Sequence, residues 1–138
     1  MIRSAYDLVV PPRIAFGWGR RHEIGALARA LGRRAFIVHG PRALESSVAV
    51  EEIAASLARE GIEAVRLGGI HREPRVEDVD CLTARLHERE AVRGDFLIAV
   101  GGGSTIDLAK AAAAMATNRR SSTVKDYLEG VGIGLQLE

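Results

Sequence analysis

FLIAVGGGSTIDLAK, residues 96–110, joins five apolar residues, three consecutive glycines and a mixed polar and apolar segment without a break. The run Phe96 to Val100 has no alternation, as expected of a strand in a parallel sheet covered by helices on both faces. Glycine lets another group approach the main chain closely and reaches backbone angles closed to other residues, so Gly101, Gly102 and Gly103 predict a bare loop that ends the strand. Ser104 predicts the N-cap of a helix over 105–117, with Asp107 three positions on in a near relative of the capping box. Strand, bare loop and helix start, in that order, make an anion site. Unpaired amides and the positive end of the helix dipole converge there, and no side chain intrudes. A phosphate or pyrophosphate suits it. The same residues also suit a plain strand-to-helix turn, with Asp107 and Lys110 a solvated pair. Neither common nucleotide fingerprint is matched: Ile106 stands where Gly-x-Gly-x-x-Gly needs its last glycine, and Gly-Lys-Ser/Thr occurs nowhere.

The preceding residues repeat the strand–helix theme. Arg13-Ile14-Ala15-Phe16 predicts a short strand closed by Gly17-Trp18-Gly19. A helix over about 21–31 follows, with Ile24, Leu27, Ala28 and Leu31 on one face. Ala35 to Val38 is a second buried-type strand, ended by His39-Gly40-Pro41. A helix over about 47–59 turns Val50, Ile53, Ala54 and Leu57 inward, and Gly61 ends it. Residues 62–67 alternate except at Ala64-Val65 and predict a strand nearer a sheet edge. After Gly68-Gly69 and Pro74, a helix over about 76–91 carries Val76, Val79, Leu82 and Leu86. Strands separated by helices of this length predict an α/β, Rossmann-like, mostly parallel sheet with helices on both faces, in a single domain. Ligands of such sheets bind beyond the carboxyl ends of the strands, where both Gly40 and Gly101 to Gly103 lie. Past Asn118 the pattern weakens, with Tyr127-Leu128 suited to a short helix and 131–137 apolar and glycine-rich. A chain that stops in mid-pattern raises the expectation of truncation.

Composition narrows the function. The 138 residues suffice for one domain with a core. Nineteen basic and eighteen acidic residues leave a formal charge of +1, without the clustered basic excess of a nucleic-acid surface. Arg20-Arg21 and Arg33-Arg34 flank one predicted helix as solvated ends, the alternative being that Arg33 or Arg34 faces a phosphate. Cys81, the single cysteine, excludes an intrachain disulfide and a multi-cysteine zinc site, and is read as a small apolar residue on its helix. No basic-then-apolar leader opens the sequence, and no uncharged apolar run approaches about 18 residues, so no membrane span is expected. A reducing, cytoplasmic setting follows as the default.

The segment Gly101-Gly102-Gly103-Ser104-x-x-Asp107-x-Ala109-Lys110 resembles the iron-containing (group III) alcohol dehydrogenase family. Phe16-Gly17-x-Gly19 resembles that family's early strand and turn, Gly69-Ile70 to Pro74 its loop before the third helix, and Asp126-Tyr127 the segment after the glycine loop's helix. These landmarks keep the family order across nearly the whole chain. The resemblance implies that residues 1–138 are the dinucleotide-binding domain of a two-domain enzyme, truncated before a helical domain. That second domain would hold the catalytic metal, iron or zinc, through an Asp and three His. It implies hydride transfer between NAD(P)H and a small alcohol or carbonyl by the parent protein, with this chain alone inactive. Gly101 to Ser104 would receive the cofactor pyrophosphate and Asp107 would lie near the nicotinamide end, while capping remains an alternative for Asp107. Where many NAD-preferring members carry an Asp, this chain has Gly40, which leaves no carboxylate to repel a 2′-phosphate. With Arg42 close by, NADP is favoured over NAD. His22, His39, His71 and His87 lack ligand spacing and read as surface or loop histidines. Two other readings compete: a free-standing nucleotide-binding module without catalysis, and a flavodoxin-like interaction domain with an incidental glycine turn. An apolar face toward a second domain, including 131–137, adds the expectation of a homo-oligomer.

Overall fold

A computed structural model describes residues 11, 13–40 and 48–138. Its sheet has three parallel strands in the order β2-β1-β3: β1 is Arg34–His39, β2 is Glu63–Arg66 and β3 is Phe96–Val100. Among the described residues four helices accompany them, α1 (Ile24–Ala28), α2 (Val48–Arg59), α3 (Val76–Glu88) and α4 (Gly103–Thr117). Single 3-10 turns occupy Arg20–Glu23 and Val124–Tyr127.

Alternation along β1 divides the core between the two faces of the sheet. Phe36 and Val38 point to one side, where Val79, Leu82 and Leu86 of α3 and Leu108, Ala112 and Met115 of α4 pack on them. Ala35 and Ile37 point to the other, against Ala28 of α1 and Val50, Ile53 and Leu57 of α2. The expected parallel α/β layering is therefore present, with β1 as the middle strand and fully buried from Ala35 to Val38. β2 lies at an edge, as its alternation predicts. β3 differs from expectation: only Ile98 is buried. Among the described residues it pairs with β1 alone, so one of its long edges lacks the cover that a neighbouring strand provides.

Three other expectations are corrected. Residues 13–16 form no strand; Ile14 and Phe16 are 84% and 94% exposed, because a strand needs a partner for its amides and carbonyls and none of the described strands lies beside it. The first helix is shorter than 21–31, and its inward face turns toward Gly25 and Ala28, leaving Leu27 and Leu31 exposed. The cause is a close backbone approach. The Gly25 amide donates to Ser56 Oγ at 3.1 Å, Ser56 Oγ donates to the His22 carbonyl at 2.7 Å, and a Cβ at Gly25 would overlap the Ser56 carbonyl. Cys81 is exposed on α3 instead of filling an apolar position.

Arg33-Arg34 is not a helix end either. Arg34 opens β1 at the amino-terminal end of the sheet, away from the loops that follow the strands. Its guanidinium donates to Asp95 Oδ2 at 2.6 Å and to the carbonyls of Arg89 and Glu90 at 3.2 and 2.8 Å, and lies 5.2 Å from the Phe36 ring centroid. It ties the end of α3 to the sheet and cannot also face a phosphate at the opposite end. The hydrogen bond from Arg34 holds the Asp95 carboxyl below the usual aspartate range against the opposing effect of burial, with further help from the Val92 amide. A lowered folded-state pKa contributes stability that is complete above the unfolded value of about 3.9 and is lost as pH falls through the folded value. Asp95→Asn should cost about 2 kcal/mol at neutral pH. Urea unfolding at pH 7 and in steps below pH 4 checks this: the gap between the two proteins should close as the solution becomes acid.

Candidate functional site

Chain order makes the carboxyl ends of β1 and β3 the point where the sheet's winding reverses. The chain leaves β1 toward β2 on one side and returns past β1 to β3 on the other, and such a reversal opens a crevice beyond the strand ends. Gly40 and the glycine loop both lie at it. His39 pairs in register with Val100, and the Gly40 amide donates to the Val100 carbonyl at 3.0 Å, so Gly40 is level with Gly101. Arg42 and Pro41 lie outside the described residues.

The three glycines do different things, and none of them uses a left-handed backbone angle. Space is what they supply. A Cβ on Gly101 would sit 2.6 Å from Thr105 Oγ1 and 2.9 Å from Thr105 Cβ, so Gly101 lets the buried Thr105 pack beneath the loop. A Cβ on Gly102 or Gly103 would meet nothing within 4 Å. Their faces open outward.

α4 begins two residues earlier than expected. Gly102 is its N-cap, with φ −83° and ψ −169°, and no side chain caps it. The Gly102 carbonyl accepts from the Thr105 and Ile106 amides, each at 3.1 Å, so the amides of Gly103 and Ser104 precede the first bond inside the helix. Ser104 is consequently inside the first turn and is no N-cap, because the extended Gly102 already supplies the entry. Asp107 belongs to no capping box; it is exposed and meets Lys110 Nζ at 3.4 Å, the solvated pair. The outcome is a helix start with donors pointing outward and no carboxylate bonded to its end amides, which suits an anion.

The opposite wall comes from the loop after β2. Gly69 crosses over the end of β1 so closely that a Cβ there would overlap the His39 carbonyl. Asp78, in the first turn of α3, holds the rest: it accepts from Arg72 at 2.9 Å and from the Arg75 amide at 2.8 Å. Glu73 is thereby placed across the mouth of the glycine loop, where Ser104 Oγ donates to its Oε1 at 2.8 Å. A cleft of about 310 Å³ lies between, lined by Ile70, Arg72, Glu73, Gly102, Ser104 and Thr105 together with His71. Of the residues expected at the site, Gly102 and Ser104 line this cleft, Gly101 and Gly103 flank them in the loop, and Gly40 and Asp107 stand outside its lining. Glu73 and Thr105 were not foreseen. The only forewarning of Glu73 was its loop, since its partner is 31 residues away.

His39 is buried at the end of β1 and is no loop histidine. Among the described residues no three His, Cys, Asp or Glu gather in a metal-holding group, and these residues do not fit a catalytic metal. No helix of the described residues is long and apolar enough to cross a membrane.

The chain is similar to several known proteins. The pattern of one family, iron-containing alcohol dehydrogenase, matches residues 11–137. Glycerol-1-phosphate dehydrogenase [NAD(P)+] of Methanothrix thermoacetophila is 39% identical over 113 residues, covering 80% of this chain and 30% of that protein. A probable NADH-dependent butanol dehydrogenase 1 of Bacillus subtilis is 32% identical, covering 75% of the chain and 26% of that protein. Among solved structures, NADH-dependent butanol dehydrogenase A from Thermotoga maritima superposes with a TM-score of 0.80 at 26% identity, covering 97% of this chain and 32% of that one. Sulfoacetaldehyde reductase from Bifidobacterium kashiwanohense, in complex with NAD+, gives 0.75 at 25% identity, covering 98% and 33%. The chain thus spans about a third or less of the length of these relatives.

Proposed function

Because the chain belongs to the iron-containing alcohol dehydrogenase family, we propose that it is the cofactor-binding part of an NAD(P)-dependent dehydrogenase acting on a small alcohol or carbonyl. Residues 1–138 would then form the dinucleotide-binding domain, working with a helical domain that carries the metal, iron or zinc. One observation carries the reading: an uncapped helix start, with open faces at Gly102 and Gly103, stands at the reversal point of a parallel sheet.

The amides of Gly103 and Ser104 hold the pyrophosphate, and Ser104 Oγ adds a third donor once it turns from Glu73. Gly101 keeps Thr105 packed so that the loop holds its shape. Asp107, exposed one turn further along α4, faces the nicotinamide end. Bound in this cleft, the nicotinamide would supply the acceptor or donor of the hydride. No step through the metal is assigned to this chain, whose activity alone is expected to be nil. The exposed Val131, Ile133 and Leu137 offer apolar surface to a second domain or to self-association, and a cytoplasmic setting belongs to the same reading.

Gly40 sets the preference between the cofactors. Without a carboxylate at the end of β1, a 2′-phosphate meets no repulsion, which favours NADP. Calorimetric titration of the chain with NADPH and NADH tests both points. Binding of neither overturns the cofactor reading. Gly40→Asp should shift the ratio of the two dissociation constants toward NADH by about tenfold, roughly the worth of one charge-assisted hydrogen bond. A ratio that stays put removes Gly40 from the adenosine ribose. Because Gly40 is buried, a melting curve should accompany the titration.

A further inference from the structure

Glu73 is the one acidic side chain that lines the glycine-loop cleft, and it stands where an anion is expected. Its Oε1 accepts from Ser104 Oγ at 2.8 Å, and Ser104 is the second residue of α4, whose own amide is among the outward-pointing donors. The contact is no accident of a wandering loop. Asp78 pins Arg72 on one side of Glu73 and the Arg75 amide on the other, and Pro74 follows directly, restricting the backbone of Glu73 itself.

The same pins direct the neighbouring guanidinium elsewhere. The Arg72 guanidinium is engaged by Asp78, and among the described residues Glu73 has no ion pair. A phosphate on the Gly103 and Ser104 amides must therefore approach a carboxylate without an ion pair of its own that also holds the Ser104 hydroxyl donor.

We propose that Glu73 is a gate and a specificity-determining residue of the cofactor cradle: its carboxylate holds the Ser104 hydroxyl, opposes pyrophosphate, and must swing away before the phosphates seat. This rests on the cofactor reading above. It makes the cradle a deliberately weak phosphate binder. The nucleoside and nicotinamide parts of the ligand then have to supply the affinity that opens the gate, so bare phosphates are rejected while the whole dinucleotide is admitted.

Glu73→Gln separates charge from shape, since the amide oxygen can still accept from Ser104 while the negative charge is gone. Glu73 is exposed, so the variant should fold as the parent does. Calorimetric titration of both proteins with NADH, ADP, inorganic pyrophosphate and adenosine provides the test. Glu73→Gln should bind pyrophosphate and ADP about tenfold more tightly, from the loss of one like-charge contact at roughly 5 Å in partly screened surroundings. The gain for NADH should be of the same sign, and adenosine should be unaffected. Unchanged or weaker binding of pyrophosphate and ADP by the variant overturns the gate, weaker binding meaning that Glu73 is itself a cofactor ligand. An equal gain for adenosine overturns it too, because the effect would not then concern phosphate. If neither protein binds any of the four, the cofactor reading fails and the gate fails with it.

Discussion

Gly102→Val is expected to fold like the parent chain and to lose at least about tenfold in NADH affinity, or about 1.4 kcal/mol. The two halves of that outcome come from different observations. At φ −83° and ψ −169° the Gly102 backbone is extended, and a Cβ there meets no protein atom within 4 Å, so a side chain fits without displacing its neighbours. The branched side chain would instead occupy part of the cleft that Gly102 lines, where the proposed pyrophosphate would sit. Titration with NADH alongside a thermal melt decides it. An unchanged melt with unchanged affinity would falsify the placement of the phosphates on this loop.

Gly69→Ala should do the reverse and damage the fold. Gly69 has no left-handed φ, so the alanine meets no torsional strain; its methyl simply overlaps the His39 carbonyl where the loop crosses the end of β1. Either the loop or the middle strand must shift, at a cost of about 2–3 kcal/mol. The urea midpoint should fall accordingly, with Gly102→Ala as a nearly neutral control. A Gly69→Ala protein as stable as its parent would show that the loop relaxes freely and that the crossing does not fix the cleft wall.

These two glycines look alike in sequence, and that explains much of what could and could not be read there. The apolar run at Ala35 to Val38, the glycines after Val100 and the spacing of Val50, Ile53 and Leu57 are local signals of period and breakage, and the parallel sheet with its carboxyl-end loop follows from them. Helix entry was misjudged by two residues because Ser104 has the side chain of a cap, whereas the extended backbone at Gly102 takes the position. The Ile14 and Phe16 pattern suggested a strand through side-chain preference alone, although a strand exists only through a neighbour's backbone. Glu73 and Arg34 were illegible for one reason. Each acts on groups far along the chain, Glu73 on Ser104 and Arg34 on Asp95, and no window of neighbouring residues contains both members of either pair.

The strand order bears on how the molecule is born. Of the described strands β1 leaves the ribosome first yet lies in the middle, so both of its edges wait for strands made later. β2 follows soon, but the pairing of Ala35 with Phe96 spans roughly sixty residues, which at about 10 residues per second leaves one edge of the most deeply buried strand unprotected for about 6 seconds. During that interval a nascent chain with β1 exposed is a template for other strands, and among the described residues α2 and α3 are the new helices made in time to shield its faces. Crowded synthesis should therefore favour chains whose helices form early, and a helix-breaking change in α2 would harm yield from ribosomes more than it harms the stability of the finished protein.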